Sequence, residues 1–397
     1  MSGYLLEWAG MLVRWLHVIT GIAWIGSSFY FVWLDNSLKP PVDPALREKG
    51  VGGELWAVHG GGFYNPQKYL VAPAKLPEEL HWFKWESYWT FLSGFLLITL
   101  VYYARAASQM VDASVADLSP AAAVGVGVGA LALGWVVYDG LCRLLIDRSQ
   151  LLFGAVYYLF VVASAWGLTH LISGRAAFVH VGAMMATTMT ANVFFWIIPG
   201  QKAMVDAMRR GEAPDPIHGK RGKQRSVHNN YLTLPVLFCM ISNHYAFTYG
   251  HPQAWAVLAL IGLAAVLIRH FFNLRHKGEL AWRYPAAGVA ILAAVAAWIA
   301  PRPVEAAAGP AVSDADAAAI LQARCVSCHA THPTQAGFAS PPLGLVLEDV
   351  AVARAAAEKI HRQVVETRVM PLGNLTQMTE DERARLGRWA ADAMAGP

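Results

Sequence analysis

Charge is scarce in this chain: only 15% of its 397 residues are Asp, Glu, Lys or Arg, 56% are apolar, and mean hydropathy is +0.37. Soluble domains carry about a quarter charged residues, so water is excluded as the main solvent and a lipid bilayer is expected. Cysteine is scarce too, with four residues. Cys142 and Cys239 lie singly in apolar runs, which excludes a disulfide framework and leaves packing as their role. The net charge of +4 is too small for a nucleic-acid surface, and its basic residues cluster in a few short segments. Residues 1–10 include Glu7 and no basic side chain. With Arg14 and His17 in the first apolar run and no small-residue cleavage site behind it, a retained helix is expected there, not a signal peptide.

Apolar stretches of roughly the twenty residues that cross hydrocarbon lie at 8–34, 87–103, 121–138, 151–172, 178–198, 231–249, 254–272 and 285–300. Basic side chains alternate between the loops joining them. Loop one has Lys39, Arg47, Lys49, Lys68, Lys75 and Lys84; loop two has only Arg105, loop four only Arg175 and loop six none. Arg143 and Arg148 mark loop three, a run from Lys202 to Arg225 marks loop five, and Arg275, Lys277 and Arg283 mark loop seven. The odd loops are therefore expected in the cytoplasm. Eight crossings from an outside N-terminus return the C-terminus to the outside, the periplasm of a bacterium. The expected fold is all-α: an eight-helix bundle in the inner membrane over 1–301, a Pro/Ala linker over 302–312 and a small helical domain over 313–397. Leu16-His17-Val18 with Trp33 echoes Val179-His180-Val181 with Trp196, which suggests two related four-helix halves.

Cys325-Val326-Ser327-Cys328-His329 is a Cys-x-x-Cys-His attachment site for c-type haem. Two thiols on one helical turn add across the haem vinyl groups, and the next imidazole falls beneath the iron. Zinc would need further ligands at suitable spacing, and His332 stands too close to supply one. Met370 is the expected sixth ligand, because Pro371 keeps it out of a helix and on a loop; Met378 is the competitor, with core packing as its plain reading. Ser313-Asp314-Ala315-Asp316 and Thr379-Glu380-Asp381-Glu382 read as helix N-caps. Leu386 and Trp389 would pack the last helix on the first, and Pro341-Pro342 would wall the haem behind His329. The segment resembles a class I cytochrome c, which implies electron transfer rather than substrate binding at its haem.

Ionisable groups within spans are functional candidates by default. His17, His170, His180 and His244 fall in the outer halves of their spans; His228 and His270 lie at inner ends, and His59 and His81 in the first loop. If chemistry occurs at the inner side and the electron sink lies outside, a relay is needed, so His17 and His180 are expected to ligate a haem b. Interhelical hydrogen bonding is the alternative role for these imidazoles. The first loop combines His59-Gly60-Gly61-Gly62-Phe63-Tyr64 with Lys68 and with His81-Trp82-Phe83-Lys84-Trp85-Glu86. Glycines permit close backbone approach to a ligand, aromatic rings stack on heterocycles, and Lys68, Lys84 or His81 could hold an anion. Lys84, Trp85 and Glu86 could equally be interfacial anchors.

Leu16-His17-Val18, the His59–Tyr64 motif, Trp82-Phe83-Lys84-Trp85-Glu86, Ser226-Val227-His228-Asn229-Asn230-Tyr231 and Ile241-Ser242-Asn243-His244-Tyr245 together resemble the bacterial membrane-bound, cytochrome c-linked urate oxidases, over the whole chain. The resemblance implies oxidation of urate to 5-hydroxyisourate with haem as acceptor, and a downstream cytochrome c or respiratory component as partner. For a planar urate anion, Lys84 or Lys68 would bind charge, Trp85 or Phe63 would stack, and His228 or Glu86 would act as base, with His59 nearby. Asn229 and Asn243 could hydrogen-bond the purine carbonyls. The rival is a non-catalytic membrane cytochrome that conducts electrons from a separate dehydrogenase or quinol. A third reading, protoporphyrinogen oxidation, does not require the appended cytochrome.

Overall fold

Helices dominate the computed structural model, which describes residues 2–300, 309–336 and 338–395; most of the expected linker, 302–308, lies outside the described residues. The first part contains α1 (Ser2–Ser37), α2 (Trp85–Val101), α3 (Pro120–Leu145), α4 (Gln150–Thr169), α5 (Gly174–Asn192), a π-turn at Val193–Ile197, α6 (Ile198–Arg209), α7 (Pro216–Ile241), α8 (Ala254–Arg275) and α9 (Arg283–Trp298). The starts of α3, α4 and α5 are coded locally: the hydroxyls of Ser119, Ser149 and Ser173 accept from Ala122, Leu152 and Ala176 backbone N–H groups.

Among the described residues six helices are long and apolar enough to cross a membrane: Tyr4–Ser37, Trp85–Gln109, Pro120–Leu145, Gln150–Thr169, Gly174–Arg209 and Ala254–Arg275. The remaining two expected spans differ for physical reasons. α9 has 16 residues and at 1.5 Å per residue reaches only about 24 Å. α7 starts at Pro216 instead of 231, because Asp215 accepts from Ile217 N–H at 2.9 Å and Pro216 occupies the first helical position. Its first half therefore carries Lys220, Arg221, Lys223 and Arg225, which the sequence reading placed in a loop.

α3, α5 and α7 form the centre, with Tyr138, Phe178, Met184 and Cys239 fully buried in one apolar cluster. Cys142 is buried in the same cluster. α1 stands at the edge and packs mainly on α2. Its Trp15 and Ile22 are 64% and 66% exposed, a surface that suits hydrocarbon better than water.

The first loop is not structureless. β1 (Val51–Glu54) pairs antiparallel with β4 (Gln67–Tyr69), and between them β2 (Ala57–His59) pairs with β3 (Gly62–Tyr64), Val58 opposite Phe63. Gly60 and Gly61 join β2 to β3 with φ of +58° and +80°, the backbone a two-residue type I′ hairpin turn demands. The glycine run thus serves a turn.

The C-terminal part holds α10 (Asp314–Arg324), α11 (Val350–Ala355), α12 (Ala357–His361) and α13 (Glu380–Ala395). Ser313 caps α10, and Thr379 with Glu382 forms a reciprocal capping box at α13. Leu386 and Trp389 pack against Ala317, Ile320 and Leu321. This part rests on the loop after α2 and the loop after α7. A Cβ added at Gly250 would lie 2.6 Å from Thr367 carbonyl oxygen, and one at Gly373 2.5 Å from Val111 carbonyl oxygen. Arg362 also stands 5.7 Å over the Phe247 ring. Gly250→Val is therefore expected to loosen the docking by about 1–3 kcal/mol, read as faster amide exchange over 362–374. Unchanged exchange there would contradict the close packing.

Candidate active site

Past α10 the chain keeps a helical turn. Cys325 N–H donates to Leu321 at 2.8 Å, and Cys328 and His329 N–H groups donate to Cys325 carbonyl oxygen at 3.1 and 2.9 Å. The two thiols and the imidazole thereby share one turn. His329 Nδ1 lies 3.0 Å from Leu345 carbonyl oxygen. A carbonyl only accepts, so Nδ1 carries the hydrogen and the Nε2 lone pair is left for a ligand. Leu347 N–H returns to His329 carbonyl oxygen at 2.7 Å, which holds the wall segment that includes Pro342. Burial pushes the Cys325 thiol up to about 12, with Cys328 adding to the effect, and burial raises Cys328 as well.

Cys325, Cys328, His329, Pro342 and Met370 line one cavity of about 1670 Å³. Arg383 donates to Met370 carbonyl oxygen at 2.8 Å and to that of Val364, so the Met370 loop is tied to α13. Met378 does not line the cavity and is buried in the core beside Leu386. Among the described residues no group of three or more His, Cys, Asp or Glu is arranged to hold a metal ion.

The cavity continues into the helical bundle between α1, α2, α5 and α7, where His17, Tyr102, Arg175, Asn243 and His244 line it. His17 sets its ring against Gly94, with Nδ1 3.1 Å from both Thr90 carbonyl oxygen and Ser93 Oγ. His180 is elsewhere. Its Nδ1 donates to Ala176 at 2.7 Å and its Nε2 has no partner among the described residues, enclosed by Gly127, Met110 and the Tyr102 and Tyr103 rings. It does not line the cavity, so the structure does not bring His17 and His180 together.

The five catalytic candidates are dispersed, and none of them lines the cavity. Lys68 pairs with Asp35, which also takes Lys223 at 2.6 Å. His59 is exposed at the end of β2. Lys84 stands 5.2 Å over the Trp85 ring, and Glu86 Oε2 is buried without a partner among the described residues. His228 stacks on Phe153 and meets the Tyr138 hydroxyl at 2.8 Å. Of the two asparagines, Asn229 bonds Asn192 and Met189, while Asn243 belongs to the cavity.

A buried network surrounds His228 that sequence reasoning missed. Asp139 on α3 accepts from Arg225 at 2.9 Å, Arg143 at 2.7 Å and Trp196 at 2.7 Å. Asn192 donates to Tyr138 and Asn229. Trp196 lies in the π-turn, a helix irregularity that often marks function. The available signal was a lone acid at the end of an apolar stretch.

A family model described as Urate oxidase N-terminal matches residues 3–300. The chain belongs to that family. Membership ties this urate oxidase family chain to urate and to oxidoreductase chemistry. No curated protein and no solved structure matches it. The family match ends before the Cys325–His329 turn, yet it covers every bundle residue that shares the cavity with that turn.

Proposed function

We propose that the chain is a membrane-integrated urate oxidase that delivers electrons to a c-type haem of its own. The observation that carries this reading is the single cavity shared by the family-matched helices and the Cys325–Cys328–His329–Met370 set. The set fits the group: two thiols on one turn, an imidazole with Nε2 free, a thioether lining the same space, and room for a tetrapyrrole. Such a haem, when bound, accepts one electron at a time. His329, oriented by Leu345, and Met370, on a loop fixed by Arg383, would hold the iron of such a haem.

The reaction balances without oxygen: urate monoanion plus water gives 5-hydroxyisourate, one proton and two electrons. No peroxide forms. The electrons leave singly to a cytochrome c or another respiratory component. A C-terminal part outside the membrane agrees with that part resting on the loops after α2 and α7, the weakly basic loops. The proposal includes a haem b that His17, on the cavity wall, would help to hold; His180, enclosed apart, would not share it.

Purified protein given urate and excess ferric cytochrome c without oxygen should reduce two cytochromes per urate and yield no peroxide. A conduit lacking a substrate site would reduce none until a partner dehydrogenase is added. A pyridine haemochrome of the whole protein reads both haem types, and absence of a b-type component removes the His17 assignment. Met370→Ala should open the iron to added imidazole or carbon monoxide. Met378→Ala should instead cost about 2–5 kcal/mol of stability and leave the iron closed. The reverse outcome would exchange their roles.

A further inference from the structure

Where the cavity passes from the helices to the Cys325–His329 turn, three side chains from separate elements converge. Asn243, in the turn after α7, accepts at Oδ1 from Arg175 Nε at 3.1 Å and from the Tyr102 hydroxyl at 2.8 Å. Arg Nε–H can only donate, so the atom facing it is the amide oxygen and the Asn243 NH₂ is turned away from the guanidinium. Among the described residues, Nε is the Arg175 donor engaged within 3.5 Å, so the fork's terminal N–H groups are left for a ligand or for the nearby Tyr102 hydroxyl. Among the described residues no carboxylate lies within 4.0 Å of the guanidinium, whereas Arg324 and Arg368, on the same cavity, are paired with Glu382 and Glu380. The charged lining comprises Arg14, Arg175, Arg324, Lys359 and Arg368 against one acid, Asp112. That acid is engaged by Ser114 N–H and hydroxyl. The cavity is thus electropositive, which attracts and retains an anion.

We infer that Arg175 and Asn243, braced by Tyr102, are the binding seat of the purine anion. This rests on the urate reading above and moves the substrate from the inner loop to the junction with the haem set. Urate presents a delocalised negative charge and several carbonyl acceptors. An arginine fork and an amide NH₂ are the donors that fit them. A substrate held here shares its cavity with the haem set and with His17.

The alternative anion is a haem propionate, and the two sources separate experimentally. Arg175→Gln, Arg175→Lys and Asn243→Asp proteins are titrated with urate anaerobically while haem reduction is followed, and each haem's spectrum and midpoint potential are recorded. For Arg175→Gln we expect the half-saturating urate concentration to rise about tenfold to a hundredfold, as loss of a charge-assisted hydrogen bond gives. Lys should restore part of it, Asp at 243 should also raise it, and potential and spectrum should stay as in the native protein. An unchanged urate dependence, or a changed potential with unchanged urate dependence, overturns the assignment, the second by giving Arg175 to a propionate. Native protein that urate never reduces removes the urate reading itself, and this inference with it. Native haem spectra in the variants show that they have folded.

Discussion

Cys325→Ser with Cys328→Ser is expected to leave the protein without covalently held haem, blank on a haem-stained denaturing gel, and unable to pass electrons from urate. The reason is positional. Both thiols sit on the turn that Cys325, Cys328 and His329 share through hydrogen bonds to Leu321 and Cys325 carbonyl oxygens, and no other cysteine lines the cavity. Cys142 and Cys239 are buried in the helical cluster and cannot substitute. Each single variant keeps one attachment point, so a residual haem stain and slower transfer are expected from it. The helical bundle should fold in all of them, because its buried core is a separate cluster from that around Leu386 and Trp389. Retained covalent haem in the double variant would contradict the assignment of this turn.

The largest loss of stability is expected at Asp139. Its carboxylate lies between Arg225, whose side chain is 5% exposed, Arg143 and the Trp196 indole N–H. Arg225 also stands over the Trp196 and Tyr138 rings, at 4.8 and 5.1 Å. Asp139→Leu would strand this buried cation, which costs about 3–5 kcal/mol when one partner of a buried pair is removed. Asp139→Leu with Arg225→Met removes both charges and should recover most of that loss, since the desolvation penalty disappears with the pair. Thermal unfolding in detergent, followed by tryptophan fluorescence, measures the difference. A single variant as stable as the native protein would show that water reaches Arg225.

What was legible in the sequence depended on how far apart the cooperating residues stand. Cys325, Cys328 and His329 lie within one turn, and the caps at Ser313 and Thr379 are local, so spacing and capping rules reached that turn and those helix starts. The cluster at the cavity mouth was not legible. Tyr102 and Asn243 are 141 positions apart and Arg175 and Asn243 68 apart, and a hydropathy profile does not say which helices touch. Arg175 looked like a single loop charge, and Asn243 was assigned to purine carbonyls without its partners. The same limit explains His17 and His180. Their similar surroundings in sequence suggested a pair, but α1 turns His17 onto α2 while α5 turns His180 onto α3. The hairpin of the first loop and the early start of α7 were hidden by composition: glycines read as a ligand cradle, and basic residues read as a loop.

Rapid anaerobic mixing of the purified chain with urate, recording haem absorbance alone, tests the central claim most directly. The account predicts that ferric haem becomes ferrous with a rate that saturates in urate, with no added protein and no oxygen. Haem that dithionite reduces but urate leaves ferric at every concentration would contradict it.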